Sequence, residues 1–123
     1  MLDRARTDLR AARYLEREGF LNQAVSRAYY ATFYAAEAAL GALGETRTKH
    51  SGVHSAFGRR VVKEGGLDRD IGRLLPRLFD LRNDADYLAE PIDPERARQA
   101  LADAERFVTA VESWLAEHKD PST

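Results

Sequence analysis

Ser26-Arg27-Ala28-Tyr29-Tyr30-Ala31-Thr32-Phe33-Tyr34-Ala35-Ala36-Glu37 is the heart of the longest strongly apolar stretch that contains neither proline nor glycine. At about 100° per residue, the segment from residue 21 to residue 43 sorts into three stripes of one helix. Ala24, Ala28, Ala31, Ala35, Ala38 and Ala42 make a small-residue stripe. Val25, Tyr29, Thr32, Ala36, Leu40 and Leu43 make a larger apolar stripe. Arg27, Tyr30, Tyr34 and Glu37 make the third. A helix with so little plain solvent face reads as the central helix of a bundle. Its small stripe admits a close neighbour. Its Arg-Tyr-Tyr-Glu stripe is the unusual one, because an ordinary surface stripe carries Lys and Glu.

Working outward, Leu2, Ala5, Leu9, Ala12 and Leu15 predict a first helix over residues 2–18, ended by Gly19 and antiparallel to the central one. Asn22 is a candidate N-cap for the central helix. After Gly41 and Gly44, a polar link leads to a third helix over residues 51–64, with Ser51 as cap and Val53, Phe57 and Val61 inward. Asp68 or Asp70 caps a fourth over residues 69–88, and Pro76 predicts a kink or a break just before it. Asp93-Pro94 opens a fifth helix that runs to residue 117. No strand-period segment or repeat appears. The expectation is one all-α domain over residues 1–123, an up-and-down bundle of four to five helices. Residues 2–118 should be ordered, and the tail from His118 frayed.

The totals fit this. At 123 residues, 44% hydrophobic and 32% charged, the chain is long enough for a core without staples. It has no cysteine, which excludes disulfides, thiolate metal sites and a cysteine nucleophile. The charged N-terminus and the lack of a long apolar run point to a cytoplasmic protein with no membrane role. The net charge of −1 conceals a basic middle. Arg47, Lys49, Arg59, Arg60, Lys63, Arg69, Arg73, Arg77 and Arg82 stand there against Glu64, Asp68, Asp70 and Asp80. That excess suits either an anionic partner or a solvated face.

Three groups of residues are candidates for chemistry. Arg82 falls on the apolar side of the fourth helix with Asp86 one turn on, so it needs a partner, Asp86 or Glu37, or else an anionic ligand. Tyr29, Tyr30, Tyr34 and Tyr87 either pack in the core with tethered hydroxyls or, with Arg27, form a stacking surface. His50 and His54 share one helix face. They lack a third metal ligand and the intervening glutamate of a metalloprotease, so the alternatives are a phosphate or base contact with Lys49, or packing. No phosphate loop, serine elbow or carboxylate pair is present, and no cofactor or metal is expected.

The central stretch, the block Lys49-His50-Ser51-Gly52-Val53-His54-Ser55-Ala56-Phe57 and the block Leu81-Arg82-Asn83-Asp84-Ala85-Asp86-Tyr87 together resemble a HEPN domain. They match the short single-domain prokaryotic branch, and the likeness covers residues 2–118. The resemblance implies a helical homodimer and two kinds of function. Many such proteins are partners of a small nucleotidyltransferase encoded nearby, in a toxin–antitoxin-like pair. Others are metal-independent endoribonucleases using an arginine and a histidine separated by four to six residues.

Here Arg82 and Asn83 match that motif, but the histidine positions hold Tyr87, Leu88 and Ala89. Tyr87 is the nearest match to a tyrosine that receives nucleotidyl groups in the paired branch. The leading expectation is therefore a homodimeric partner of a nucleotidyltransferase, with a nucleotide- or RNA-binding site. Arg27, Tyr30, Tyr34, Lys49, His50 and Asp86 would line it, with Arg82, Asn83 and Tyr87. The alternatives are a ribonuclease toxin using Arg82 and Asn83, with Tyr87 or His50 as proton carrier, and a purely structural dimer in which Arg82 and Asp86 fix packing.

Overall fold

The computed structural model describes residues 2–46, 49–87 and 91–118. Helix α1 (Leu2–Arg17) is followed by α2 (Leu21–Ala42), α3 (His50–Ala56), α4 (Arg69–Gly72), α5 (Leu74–Tyr87) and α6 (Pro94–Glu117). Among the described residues there is no strand. The architecture is the expected all-α up-and-down bundle. Pairings of low with high residue numbers fix the directions. Arg27 of α2 meets Asp8 of α1, and Arg4 lies over the Tyr34 ring, so α1 and α2 are antiparallel. Tyr30 meets Arg82, and Asn22 meets Ala85, so α2 and α5 are antiparallel as well. Arg6 pairs with Glu112 and Arg13 with Glu105, which lays α6 antiparallel to α1.

The turns follow from local chemistry. Gly19 (φ 86°) and Gly44 (φ 78°) adopt the left-handed conformation that closes a helix. At each, the next residue's N–H reaches back five positions, Phe20 to the Leu15 carbonyl and Glu45 to the Leu40 carbonyl, which satisfies orphan carbonyls. Asp68 accepts from the N–H groups of Asp70 and Ile71, and Asp93 accepts from that of Arg96, each worth about 1 kcal/mol. Pro94 takes the first position of α6. The break before Pro76 falls at Arg73, between α4 and α5.

Two caps differ from expectation. Asn22 does not cap α2. It spans elements instead, donating from Nδ2 to the Ala85 carbonyl and accepting from the Ile92 N–H, both at 2.9 Å. Ser51 is not the cap of α3 either, because the helix begins at His50 with Lys49 in the cap position and no side-chain bond there. The third helix also changes character. From Phe57 to Lys63 it is a π-helix, and such stretches are rare and concentrate near functional sites. It ends against α6, where Trp114 Nε1 donates to the Gly65 carbonyl at 2.8 Å. A Cβ at Gly65 would lie 2.6 Å from the Val61 carbonyl oxygen, so this close approach requires glycine. His118 is held, its ring stacked on Trp114 at 4.0 Å and its Nδ1 2.8 Å from the Trp114 carbonyl. The expected fraying of residues 119–123 lies outside the described residues.

Helix α2 is central, as its stripes require. Ala24, Ala28, Ala31 and Ala35 of the small stripe are fully buried, and so are Val25, Tyr29, Thr32 and Ala36, whereas Ala38 is half-buried and Ala42 exposed where α2 ends. Among the described residues no helix is long and apolar enough to cross a membrane.

A candidate polar site between α2, α3 and α5

Arg82 lies where α5 crosses α2. Its side chain is 15% exposed. Nη2 donates to the Tyr30 hydroxyl at 2.9 Å, and Nη1 donates to Asn83 Oδ1 at 3.3 Å. Nε sits 2.9 Å from Asp86 Oδ2, yet its buried N–H is not aimed at that oxygen and completes no hydrogen bond. The ion pair is therefore real as charge pairing but leaves one donor of the guanidinium unspent. The guanidinium carbon stands 5.2 Å from the Tyr30 ring centre and 6.0 Å from that of Tyr29, a loose cation–π arrangement.

The imidazole of His50 enters the same aromatic cluster from α3. Its ring centre is 6.0 Å from Tyr30, 5.7 Å from Tyr29 and 4.5 Å from Phe33, and it stacks on Phe79 at 5.5 Å. Burial, and then the charge of Arg82, hold its pKa below the usual histidine value. At neutral pH His50 is thus an uncharged imidazole beside a fixed cation. Beneath them Tyr29 is fully buried, and its hydroxyl touches His50 Nδ1 at 2.7 Å and His54 Nε2 at 2.9 Å. Burial pushes the Tyr29 phenol well above its ordinary range, so it stays protonated.

The polar stripe of α2 does not act as one wall. Tyr30 faces Arg82, whereas Tyr34 packs under Arg4 of α1 at 4.0 Å. Burial raises the pKa of Glu37, opposed by the charge of Arg4 on α1 rather than by Arg82. Arg27 pairs with Asp8 of α1 at 3.6 Å, not with Asp86. The reason is rotational. The stripe is wide enough to lie in the seams on both sides of α2, and α1 takes the residues nearer its own face. Arg27 nevertheless shares with Asp86 a cavity of about 470 Å³, also lined by Asn22, Gln23 and Ser26. Lys49 is exposed at the cap of α3, and Tyr87 is 76% exposed at the end of α5. The other two positions where a motif histidine would stand, Leu88 and Ala89, lie outside the described residues.

The structure thus assembles Arg82, Asn83, Asp86, Tyr30 and His50. It sets Arg27 across a neighbouring cavity and leaves Tyr34 with α1. Sequence reasoning placed Tyr29 on the apolar stripe and His54 beside His50, but did not join them. The signal available was the four-residue spacing of the two histidines, which puts both rings on one helix face. Among the described residues no group of three or more His, Asp or Glu side chains is placed to hold a metal. Chemically, the cluster offers a fixed cation for a phosphate and a neutral imidazole for proton transfer.

Comparison with known proteins bears on the family of the chain. The family model for the HEPN domain matches residues 1–114. A UPF0332 protein of Thermotoga maritima is 38% identical over 94% of this chain and 89% of its own length. Two proteins of Methanocaldococcus jannaschii, named "Putative toxin MJ0605" and "Putative toxin MJ0142", are 34% and 30% identical. The matches cover 95% and 94% of this chain, and 87% and 79% of those proteins. On the family match and these relatives, the chain belongs to the HEPN domain family.

Proposed function

We propose that this chain is the toxin-like member of a toxin–antitoxin-type pair, a homodimeric HEPN protein whose partner is a small nucleotidyltransferase. Its Arg82 site binds a phosphate of RNA or of a nucleotide. The observation that carries this reading is the guanidinium of Arg82, largely buried, fixed by the Tyr30 hydroxyl and Asp86, and close enough to His50 for its charge to act on that imidazole. Arginine's planar fork suits phosphate oxygens, and the neighbouring Tyr30 ring offers a stacking face. The toxin names of the two archaeal relatives support the toxin-like part. Tyr87, exposed at the end of α5, is the candidate for modification by the partner. The test is to co-express the chain with a nucleotidyltransferase gene encoded beside it and purify the pair. A stable complex, with Tyr87 gaining a nucleotidyl mass on mass spectrometry, is the expected result. A chain that elutes alone, and no such gene nearby, would overturn the partner assignment.

One observation favours a second reading, a metal-independent endoribonuclease. In this reading His50, whose ring lies 6.0 Å from that of Tyr30 and feels the charge of Arg82, takes the place of the imidazole absent after Arg82 in sequence. Its lowered pKa keeps it neutral and ready to accept a proton. RNA cleavage that persists in chelator and is lost in Arg82→Ala and His50→Ala is the expected outcome of this reading. Intact single-stranded RNA after incubation with folded wild type would rule it out.

A further inference from the structure

We infer that Tyr29 is a positioning residue that joins His50 and His54 into one proton-shuttling unit. His50 Nε2 is the end that serves the Arg82 site, and His54 Nδ1 is the end that exchanges with solvent. The inference deepens the ribonuclease reading and rests on it for the reaction served, but the coupling itself is set by the geometry of the free protein.

The hydroxyl of Tyr29 carries one hydrogen and lies within bonding distance of two ring nitrogens, His50 Nδ1 and His54 Nε2. It can donate to one of them and must accept an N–H from the other. With both rings neutral, only two arrangements satisfy this. In the first, His54 Nε2–H donates to the tyrosine and the tyrosine donates to His50 Nδ1. His50 then carries its hydrogen on Nε2, and so does His54. In the second, His50 Nδ1–H donates, the tyrosine donates to His54 Nε2, and both rings carry hydrogen on Nδ1. The two rings are therefore tied to the same tautomer.

A proton can move through the unit with every atom accounted for. In the second arrangement, a hydroxyl of bound RNA gives its proton to His50 Nε2, and His50 becomes an imidazolium. Its Nδ1–H passes to the Tyr29 oxygen while the Tyr29 hydrogen passes to His54 Nε2. His50 ends neutral with hydrogen on Nε2, Tyr29 ends as a neutral phenol, and His54 holds the charge. His54 then releases its Nδ1 proton to water, and both rings are left in the first arrangement.

The surrounding charges favour that direction. Burial disfavours a cation on either ring; beyond that, Arg82 on α5 disfavours one on His50, while Asp80 on the same helix partly offsets the cost at His54. Arg69 and Arg73 share a cavity of about 230 Å³ with His54, and Arg73 is paired with Asp70. Tyr30 and Glu37 of α2 complete the charged and titratable groups acting on Tyr29. Among the described residues neither His50 Nε2 nor His54 Nδ1 has a hydrogen-bond partner, and neither is among the fully buried atoms left without one.

Nitrogen-15 NMR of the histidine rings in the RNA-free full chain tests the coupling. At pH 8 wild type should show the same tautomer on His50 and His54. One Nδ1–H ring and one Nε2–H ring would overturn the inference, because the tyrosine would then face two donors or two acceptors. On acidification the pair should take up its first proton well before its second, separated by more than about one pH unit. Tyr29→Phe, with its fold checked by amide spectra, should close that gap. If Tyr29→Phe leaves both titrations unchanged, the coupling does not exist. His54→Gln is the second variant, expected to shift the His50 titration in wild type but not in Tyr29→Phe. RNA cleavage is scored separately. Its absence in wild type removes the reaction the unit would serve, whereas cleavage with wild-type rate and pH profile in both variants sinks the relay alone.

Discussion

Replacing Arg82 separates what the site does for the fold from what it does for a ligand. The side chains of Arg82 and Asp86 are 15% and 30% exposed, and the guanidinium also donates to Tyr30. Arg82→Ala removes the charge-assisted bond to Tyr30 and leaves Asp86 facing a half-buried seam without its cation. Breaking a buried pair from one side costs about 3–5 kcal/mol. Asp86 keeps access to water, which places this case at the low end, about 3 kcal/mol. For a chain of this size that is a fall in Tm of about 12 °C. Arg82→Met with Asp86→Leu removes both charges and refills the space with apolar atoms. It should stay within about 1 kcal/mol of wild type, since swapping a buried pair for hydrophobic residues is often neutral or better. Urea denaturation of wild type, Arg82→Met, Asp86→Leu and the double variant closes the cycle, with Arg82→Ala measured beside them. If the double variant loses as much as Arg82→Ala, with partner and RNA absent, the pairing is not what Arg82 contributes and the reasoning fails.

Other outcomes follow from the same structure. Burial raises the pKa of Asp8, outweighing the help of Arg27, and its Oδ2 has no hydrogen-bond partner. A raised folded-state value means the ionised form is penalised above the unfolded pKa of about 4. Asp8→Asn should therefore match or exceed wild-type Tm at pH 7, with the gap narrowing as pH falls to 4; a loss above about 1 kcal/mol at pH 7 counts against this. His50 and His54 have lowered values, so the fold favours their neutral forms and loses that advantage as pH drops below about 6.5. Thermal scans between pH 7 and 5.5 should show falling Tm in wild type and a flatter profile in His54→Gln. Asn22→Ala strands the Ile92 N–H and the Ala85 carbonyl, at a cost of about 1–3 kcal/mol. Amide exchange at Ile92 should accelerate in that variant, and unchanged protection would show the bridge to be dispensable.

The bundle was legible because its signals are local. Three stripes on α2 define a helix buried on most sides, and Asp68, Gly19 and the Asp93-Pro94 pair mark ends by mechanisms confined to one turn. The site was only half legible. Arg82 and Asp86 announced each other across one turn of α5. Yet Arg27 and Tyr34 share a stripe with Tyr30 and end against α1, because a stripe fixes a direction from the helix axis and not which neighbour fills it. His50 meets Tyr29 across 21 residues of chain, a contact no local period encodes. Tyr29 looked like core because its ring is core; only its hydroxyl works in the polar cluster. Asn22 looked like a cap because its residue type suits one, and long-range packing gave it two backbone partners instead.

Binding of a fluorescein-labelled single-stranded RNA, followed by anisotropy at fixed salt, tests the phosphate-binding role of Arg82 most directly. The comparison is wild type against the Arg82→Met, Asp86→Leu variant, whose stability should match. Loss of one charge-assisted contact of about 1.5–3 kcal/mol predicts affinity reduced roughly 10- to 150-fold. Equal affinity in the two proteins, both folded, would contradict the account and leave Arg82 as a packing residue.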